Sequence, residues 1–168
     1  MSYTAESLKK MHAKAIADFK STNKVLQKTR RTQIQKLDAF FHDHHRREFD
    51  KITCIECANC CKLLSPAISD SDIRRMAKQL RLKLPDFIDR YLHKENEGSY
   101  VFRSIPCPFL MSDNYCAIYN VRPRACREYP HTDRKRMHQI IDITAKNSTI
   151  CPAVFNMIER MKQNPTNS

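Results

Sequence analysis

Eight cysteines, none before residue 54, constrain this chain more than any other feature. Four of them fall in one short run, Cys54-x-x-Cys57-x-x-Cys60-Cys61, and Cys107, Cys116, Cys126 and Cys151 stand singly further on. Thiols at this density either staple an exported domain as disulfides or bind metal in a reducing compartment. No apolar leader opens the sequence, so the expected location is the cytoplasm and the expected chemistry is metal binding. A CxxC turn lets two thiolates converge on one ion while backbone amides point at the sulfurs. A run of three at this spacing also matches the way ferredoxins wrap a cubane cluster. Adjacent Cys60 and Cys61 are hard to place on one mononuclear tetrahedral ion, because neighbouring side chains diverge. The eight cysteines are therefore expected to serve two sites or one polynuclear site, and spacing alone leaves their partition open.

The single glycine, Gly98, excludes a P-loop and the GxGxxG fingerprint, since both need several glycines where backbone meets phosphate. No apolar run approaches the length of a membrane span. The net charge of +12 and pI near 9.5 raise nucleic acid as a partner, but the basic residues are spread through the chain rather than striped. No aromatic RNA-binding motif or histidine-bearing finger accompanies them. An unidentified protein partner is the other candidate, and the oligomeric state is not legible.

The expected fold is mainly α with a small irregular β hairpin, a metal-stabilised cysteine-cluster domain over residues 50–162. A basic helical extension precedes it over residues 1–49, and a polar tail follows over 163–168. Leu8, Met11, Ala15 and Phe19, then Ile34, Leu37 and Phe41, recur at helical spacing. They predict one long helix, or two with a hinge near Ser21 to Asn23. Ser69 to Asp72 predicts a cap and acidic first turn for a helix over Ile73 to Leu82. Pro85 opens another through Leu92. A glycine turn at Glu97-Gly98 leads into a strand at Tyr100 to Phe102, and Tyr115 to Tyr119 is expected to pair with residues 107–111. Pro123 opens a helical turn carrying Cys126. Asp133 starts a helix with Met137, Ile140, Ile141 and Thr144 on one side, and Pro152 starts a last one.

Two structural zincs would more typically show two CxxC pairs, and only the first half of this chain has that form. The CxxCxxC run and the Cys-Pro steps at Cys107 and Cys151 resemble cluster ligation. An iron–sulfur cluster is thus placed ahead of zinc, with both kept. The segments CIECANCC, PCPFL, DNYCAIYNVRPRACREYP and ICPAV together resemble the CxxCxxCC family of zinc- or iron-chelating proteins, also called YkgJ family cysteine cluster proteins. The resemblance spans about residues 50–155 and enrols Cys54, Cys57, Cys60, Cys61, Cys107, Cys116, Cys126 and Cys151 as ligands of the metal or cluster. That family includes the cysteine-rich region of flagellin lysine N-methylases, and its members often carry the label of Fe–S oxidoreductases. The resemblance therefore implies a redox protein or an accessory to a modification enzyme. The alternative is a structural zinc module that binds a protein or RNA.

Arg122, Arg124, Arg127, Tyr129 and His131 crowd the sequence around Cys126. They are read first as charges that offset thiolates and second as an anion site. Arg124 and Arg127, at i−2 and i+1, are expected beside the Cys126 sulfur. Arg122, biased toward extended backbone by Pro123, is expected to face solvent. The run of His42, Asp43, His44 and His45 is expected to be a solvated helix face. No nucleophile, base and orienter can be assembled, so no catalytic residue is assigned.

Overall fold

The computed structural model describes residues 3–32, 34–95 and 98–163. In chain order the helices are α1 (Ala5–Ala17), α2 (Phe19–Thr32), α3 (Ile34–Phe49), α4 (Cys54–Cys57), α5 (Asn59–Leu63), α6 (Asp70–Gln79) and α7 (Leu84–Tyr91). The strands β1 (Leu92–Lys94) and β2 (Tyr100–Phe102) follow, then α8 (Arg124–Glu128), α9 (Ile141–Asn147) and α10 (Pro152–Gln163). Short 3-10 turns lie at Tyr119–Val121 and Met137–Ile140. The chain is mostly helical with one antiparallel pair of strands, as the sequence predicts. Two compact units form. One is discontinuous, Met1–Cys57 with Pro130–Ser168, and the other is the continuous stretch Ala58–Tyr129.

In the discontinuous unit α10 packs against α1, α2, α3 and α9. Leu26, Leu37, Phe41, Met137, Ile141, Met157, Ile158 and Met161 are fully buried there. The apolar stripe of α10 repeats at Val154, Met157, Ile158 and Met161, which is the helical period that buries one face. Asp38 of α3 accepts the backbone N–H groups of Arg136 and Met137, so one carboxylate starts the 3-10 turn that leads into α9. The expected hinge near Ser21 is not where the first helix breaks. It breaks at Asp18, whose backbone leaves helical values (φ −87°, ψ 1°). There the Asp18 carbonyl accepts both the Thr22 N–H and the Ser21 hydroxyl, a local side-chain bond added to the ladder. The helix expected from Asp133 starts late for a similar local reason. Arg136 takes left-handed backbone (φ 61°), and regular helix begins only at Ile141.

In the continuous unit, α6 begins with a full capping box. The Ser69 hydroxyl accepts the Asp72 N–H, and the Asp72 carboxylate reaches back to the Ser69 N–H. Phe87 stacks near Phe109, and Phe102 meets Phe109 edge-on, over a core of Ile73, Met76, Leu92 and Ile118. The strand at Tyr100–Phe102 forms as predicted, but its partner is Leu92–Lys94, whose first residue the sequence assigns to the end of a helix. Leu92 alternates inward as a fully buried residue, and that burial decides for the strand. Gly98 turns at φ 82°, with its N–H donated to the Glu95 carbonyl. Glu97 and the tail beyond Gln163 lie outside the described residues. The hairpin expected between residues 107–111 and 115–119 shrinks to a single bridge, Leu110 with Cys116. Beyond that bridge the chain curls into 3-10 geometry, and the Val121 N–H bonds the Ile118 carbonyl in place of a ladder.

Candidate metal centre

The cysteine run is cut in its middle by backbone conformation. Ala58 takes left-handed φ of 47°, which ends α4 and starts α5. Cys54 and Cys57 therefore sit on α4 in the discontinuous unit, and Cys60 and Cys61 sit on α5 in the continuous one.

In the continuous unit four thiols from four segments share one electrostatic neighbourhood. The field at Cys126 includes Cys61, Cys107 and Cys116, that at Cys107 includes Cys61 and Cys116, and that at Cys116 includes Cys61. Backbone bonds explain the gathering. The Cys107 N–H donates to the Cys61 carbonyl at 2.8 Å, which lays the segment around Cys107 against α5. The Leu110 bridge brings in Cys116. Hydrogen bonding from Cys60 is the largest influence on Cys61 and brings its thiol down to about 7 against burial, with Lys62 and Arg122 acting the same way. Burial pushes Cys107 up to about 11 and Cys126 up to about 12.

In the discontinuous unit Cys151 is the first member of a second set. It is buried, its thiol is pushed up to about 12 by desolvation, and Cys54 and Cys57 lie in its field. Tyr3 lies beside them. Burial raises its phenol, and Glu48, Cys57 and Cys151 add to the rise while a bond from Asn156 opposes it. The Glu48 carboxylate is itself buried, and it accepts from Asn156 at 2.8 Å and Arg160 at 3.2 Å.

The backbone around several sulfurs is arranged for anions. Cys107 receives the N–H groups of Phe109 and Leu110, Cys116 that of Ile118, and Cys151 those of Ala153 and Val154. The repeated i+2 and i+3 pattern explains the Cys-Pro steps. Proline at i+1 has no N–H and a fixed φ, so the next two amides turn to the sulfur. These bonds favour the thiolate, the form that ligates metal. The donor set thus fits a soft metal held by sulfur. Among the described residues no group of three or more His, Cys, Asp or Glu side chains is already set as a finished ligand shell. What the fold supplies is proximity and amide donors, not completed coordination.

The arginine order is the reverse of the one expected. Arg122 is the cation felt by Cys61, Cys116 and Cys126. Its guanidinium lies 3.8 Å over the Tyr119 ring and donates to the Tyr119 carbonyl at 2.8 Å. Arg124 turns outward to pair with Glu128, and its side chain is 73% exposed. Arg127 reaches back to the Arg122 carbonyl at 3.3 Å. The φ bias imposed by Pro123 sets the Arg122 backbone, yet the Tyr119 ring decides where its side chain goes. The histidine run is structural. His42 bonds the Arg134 carbonyl, His44 the Phe40 carbonyl and His45 the Thr132 hydroxyl. His131 belongs to the discontinuous unit, and Cys126 to the continuous one.

Two residues at the site escape sequence reasoning. Asp72 reads only as part of an acidic first turn and Arg75 is not singled out, yet both bond the segment leading to Cys126. A buried carboxylate that answers a distant backbone amide leaves no periodic signal.

A family model described as "CxxCxxCC: Putative zinc- or iron-chelating domain" matches residues 53–152. The chain belongs to the CxxCxxCC family. Membership makes it a metal-binding protein of the zinc- or iron-chelating kind, and the matched stretch contains every cysteine of the chain. No curated protein and no solved structure matches it. No helix among the described residues is long and apolar enough to cross a membrane.

Proposed function

We propose that this CxxCxxCC protein holds an iron–sulfur cluster on cysteine thiolates in a reducing cytoplasm. It would carry electrons or assist a modification enzyme. All eight cysteines serve, in two groups. Cys61, Cys107, Cys116 and Cys126 form one, with Cys60 hydrogen-bonded to Cys61. Cys54, Cys57 and Cys151 belong to the other. The observation that carries the reading is the set of backbone N–H donors aimed at Cys107, Cys116 and Cys151. Such bonds to sulfur stabilise thiolate and tune a bound cluster's potential. When bound, the cluster supplies one-electron chemistry. The chain's own part is to hold the sulfurs, supply amide donors and place the Arg122 charge nearby.

A specific observation also favours a second reading. Cys61, Cys107, Cys116 and Cys126 share one electrostatic neighbourhood, and four thiols are the number that a structural zinc takes. In that case the metal staples loops, and the basic helices meet a protein or RNA partner. Anaerobic purification with a visible spectrum and metal and sulfide analysis separates the two. Charge-transfer absorption with acid-labile sulfide is expected. A colourless protein that carries only zinc would replace the redox reading with the structural one.

A further inference from the structure

Cys126 is delivered by α8, a helix of five residues that is too short to stand alone. What holds α8 comes from α6. The Asp72 carboxylate is 2% exposed and takes four donors. Its Oδ2 accepts the Ser69 hydroxyl at 2.7 Å and the Ser69 N–H at 3.4 Å, which caps its own helix. Its Oδ1 accepts the Arg75 guanidinium and, at 3.1 Å, the backbone N–H of Arg124, the first residue of α8. The same Nη2 of Arg75 donates to the Arg122 carbonyl at 2.9 Å. The backbone is therefore gripped immediately before and immediately after Pro123, a residue with no N–H of its own. One grip fixes the base of Arg122, whose charge reaches the thiols, and the other fixes the entry to the turn that carries Cys126.

We propose that Asp72 and Arg75 are the positioning pair of the four-thiol set. They present Cys126 and Arg122 to the metal without touching it. This rests on the reading that Cys61, Cys107, Cys116 and Cys126 bind metal. A buried carboxylate with a single job would need fewer partners. Four donors on one carboxylate, divided between two helix starts, tie the most regular part of this unit to its least regular part. The arrangement is that of outer-shell groups which orient ligands, whose loss commonly weakens metal binding about tenfold to a hundredfold.

The test compares full-length parent, Asp72→Asn and Arg75→Gln, purified anaerobically. Zinc and iron content are measured, and iodoacetamide alkylation is followed cysteine by cysteine. Asp72→Asn keeps an acceptor for the helix cap, and Arg75→Gln leaves the cap untouched, so each variant should keep its far-UV helix signal. The expected result is alkylation of Cys126 at least about tenfold faster than in the parent, with metal lost, in both variants. Cys54, Cys57 and Cys151 should stay at the parent rate. Parent-like protection of Cys126 with full metal content would overturn the proposal. So would loss of helix in both variants, which would make the pair purely structural. The parent is also alkylated before and after chelation. If chelation does not speed alkylation of Cys126, the metal reading fails at this cysteine and takes the proposal with it. If chelation speeds it and the variants do not, the proposal alone fails.

Discussion

At the scale of single residues, Arg122 is the cation shared by three of the sulfurs, while Lys62 acts on Cys61. Arg122 stacks on Tyr119 and lies in the field of three thiols, whereas Arg124 pairs outward with Glu128. Concentrated thiolates repel one another, and a fixed cation lowers the cost of holding them together. Arg122→Gln should therefore weaken metal retention by about tenfold, and Arg124→Gln should leave it unchanged. Competition with a chromophoric chelator measures both. Equal losses would mean that helix geometry, not charge, is what these positions supply. The sequence places the three arginines in the right neighbourhood and misorders them. Spacing from Cys126 gives distance along the chain, but the stacking surface offered by Tyr119 is a tertiary fact.

At the scale of elements, Cys151 does two jobs that can be separated. Its sulfur accepts the N–H groups of Ala153 and Val154, and its carbonyl accepts the Phe155 N–H, so it caps α10. Serine can cap a helix but is a poor soft-metal ligand. Cys151→Ser should release metal from the discontinuous unit's set while costing little thermal stability. Cys151→Ala should release the metal and also cost about 1 kcal/mol through the lost cap. Calorimetry of metal-free protein isolates the second effect. An identical melt for the two metal-free variants would remove the capping role. Elements with local start signals are the legible ones here. Ser69, Pro85 and Pro152 all open helices, although the first runs over Asp70–Gln79 rather than Ile73 to Leu82. The strand Leu92–Lys94 is not legible, because its one apolar residue, Leu92, also fits the helix before it and only pairing with Tyr100–Phe102 decides.

At the scale of the whole molecule, each unit has its own apolar core, and this changes what metal removal should do. With one glycine, eight thiols and few other staples, the sequence alone predicts that chelation melts residues 54–155 while the N-terminal helix survives at least partly. Beneath the thiols of the continuous unit, however, Cys107 and Cys116 pack on a core of Phe87, Phe102, Phe109, Leu92 and Met76. The α10 helix buries Met157, Ile158 and Met161 against other helices. Chelation should therefore loosen loops rather than melt cores. Amide exchange should rise by about tenfold or more around Cys61, Cys107 to Cys116 and Cys126, and change little in α6, α7 and α10. Collapse of protection across all three helices would show that the metal is the core's main support. The thiol census was fully legible from the sequence. Its division was not, because a left-handed alanine inside a uniform-looking run carries no compositional mark.

The interrupted course of one unit also sets an order in time. The stretch Ala58–Tyr129 is a single uninterrupted piece of chain, while the unit built from Met1–Cys57 and Pro130–Ser168 needs both ends. On the ribosome the first piece can close as soon as Tyr129 has emerged, with Cys60, Cys61, Cys107, Cys116 and Cys126 already made. Cys54 and Cys57 must then wait for Cys151, and α1, α2 and α3 must wait for α9 and α10 before their apolar faces are covered. During that interval the newborn chain carries two early thiols and three half-buried helices with no finished core. Its hazards in the cell are oxidation and premature sticking, concentrated at α1 to α3 and ended when α10 is made.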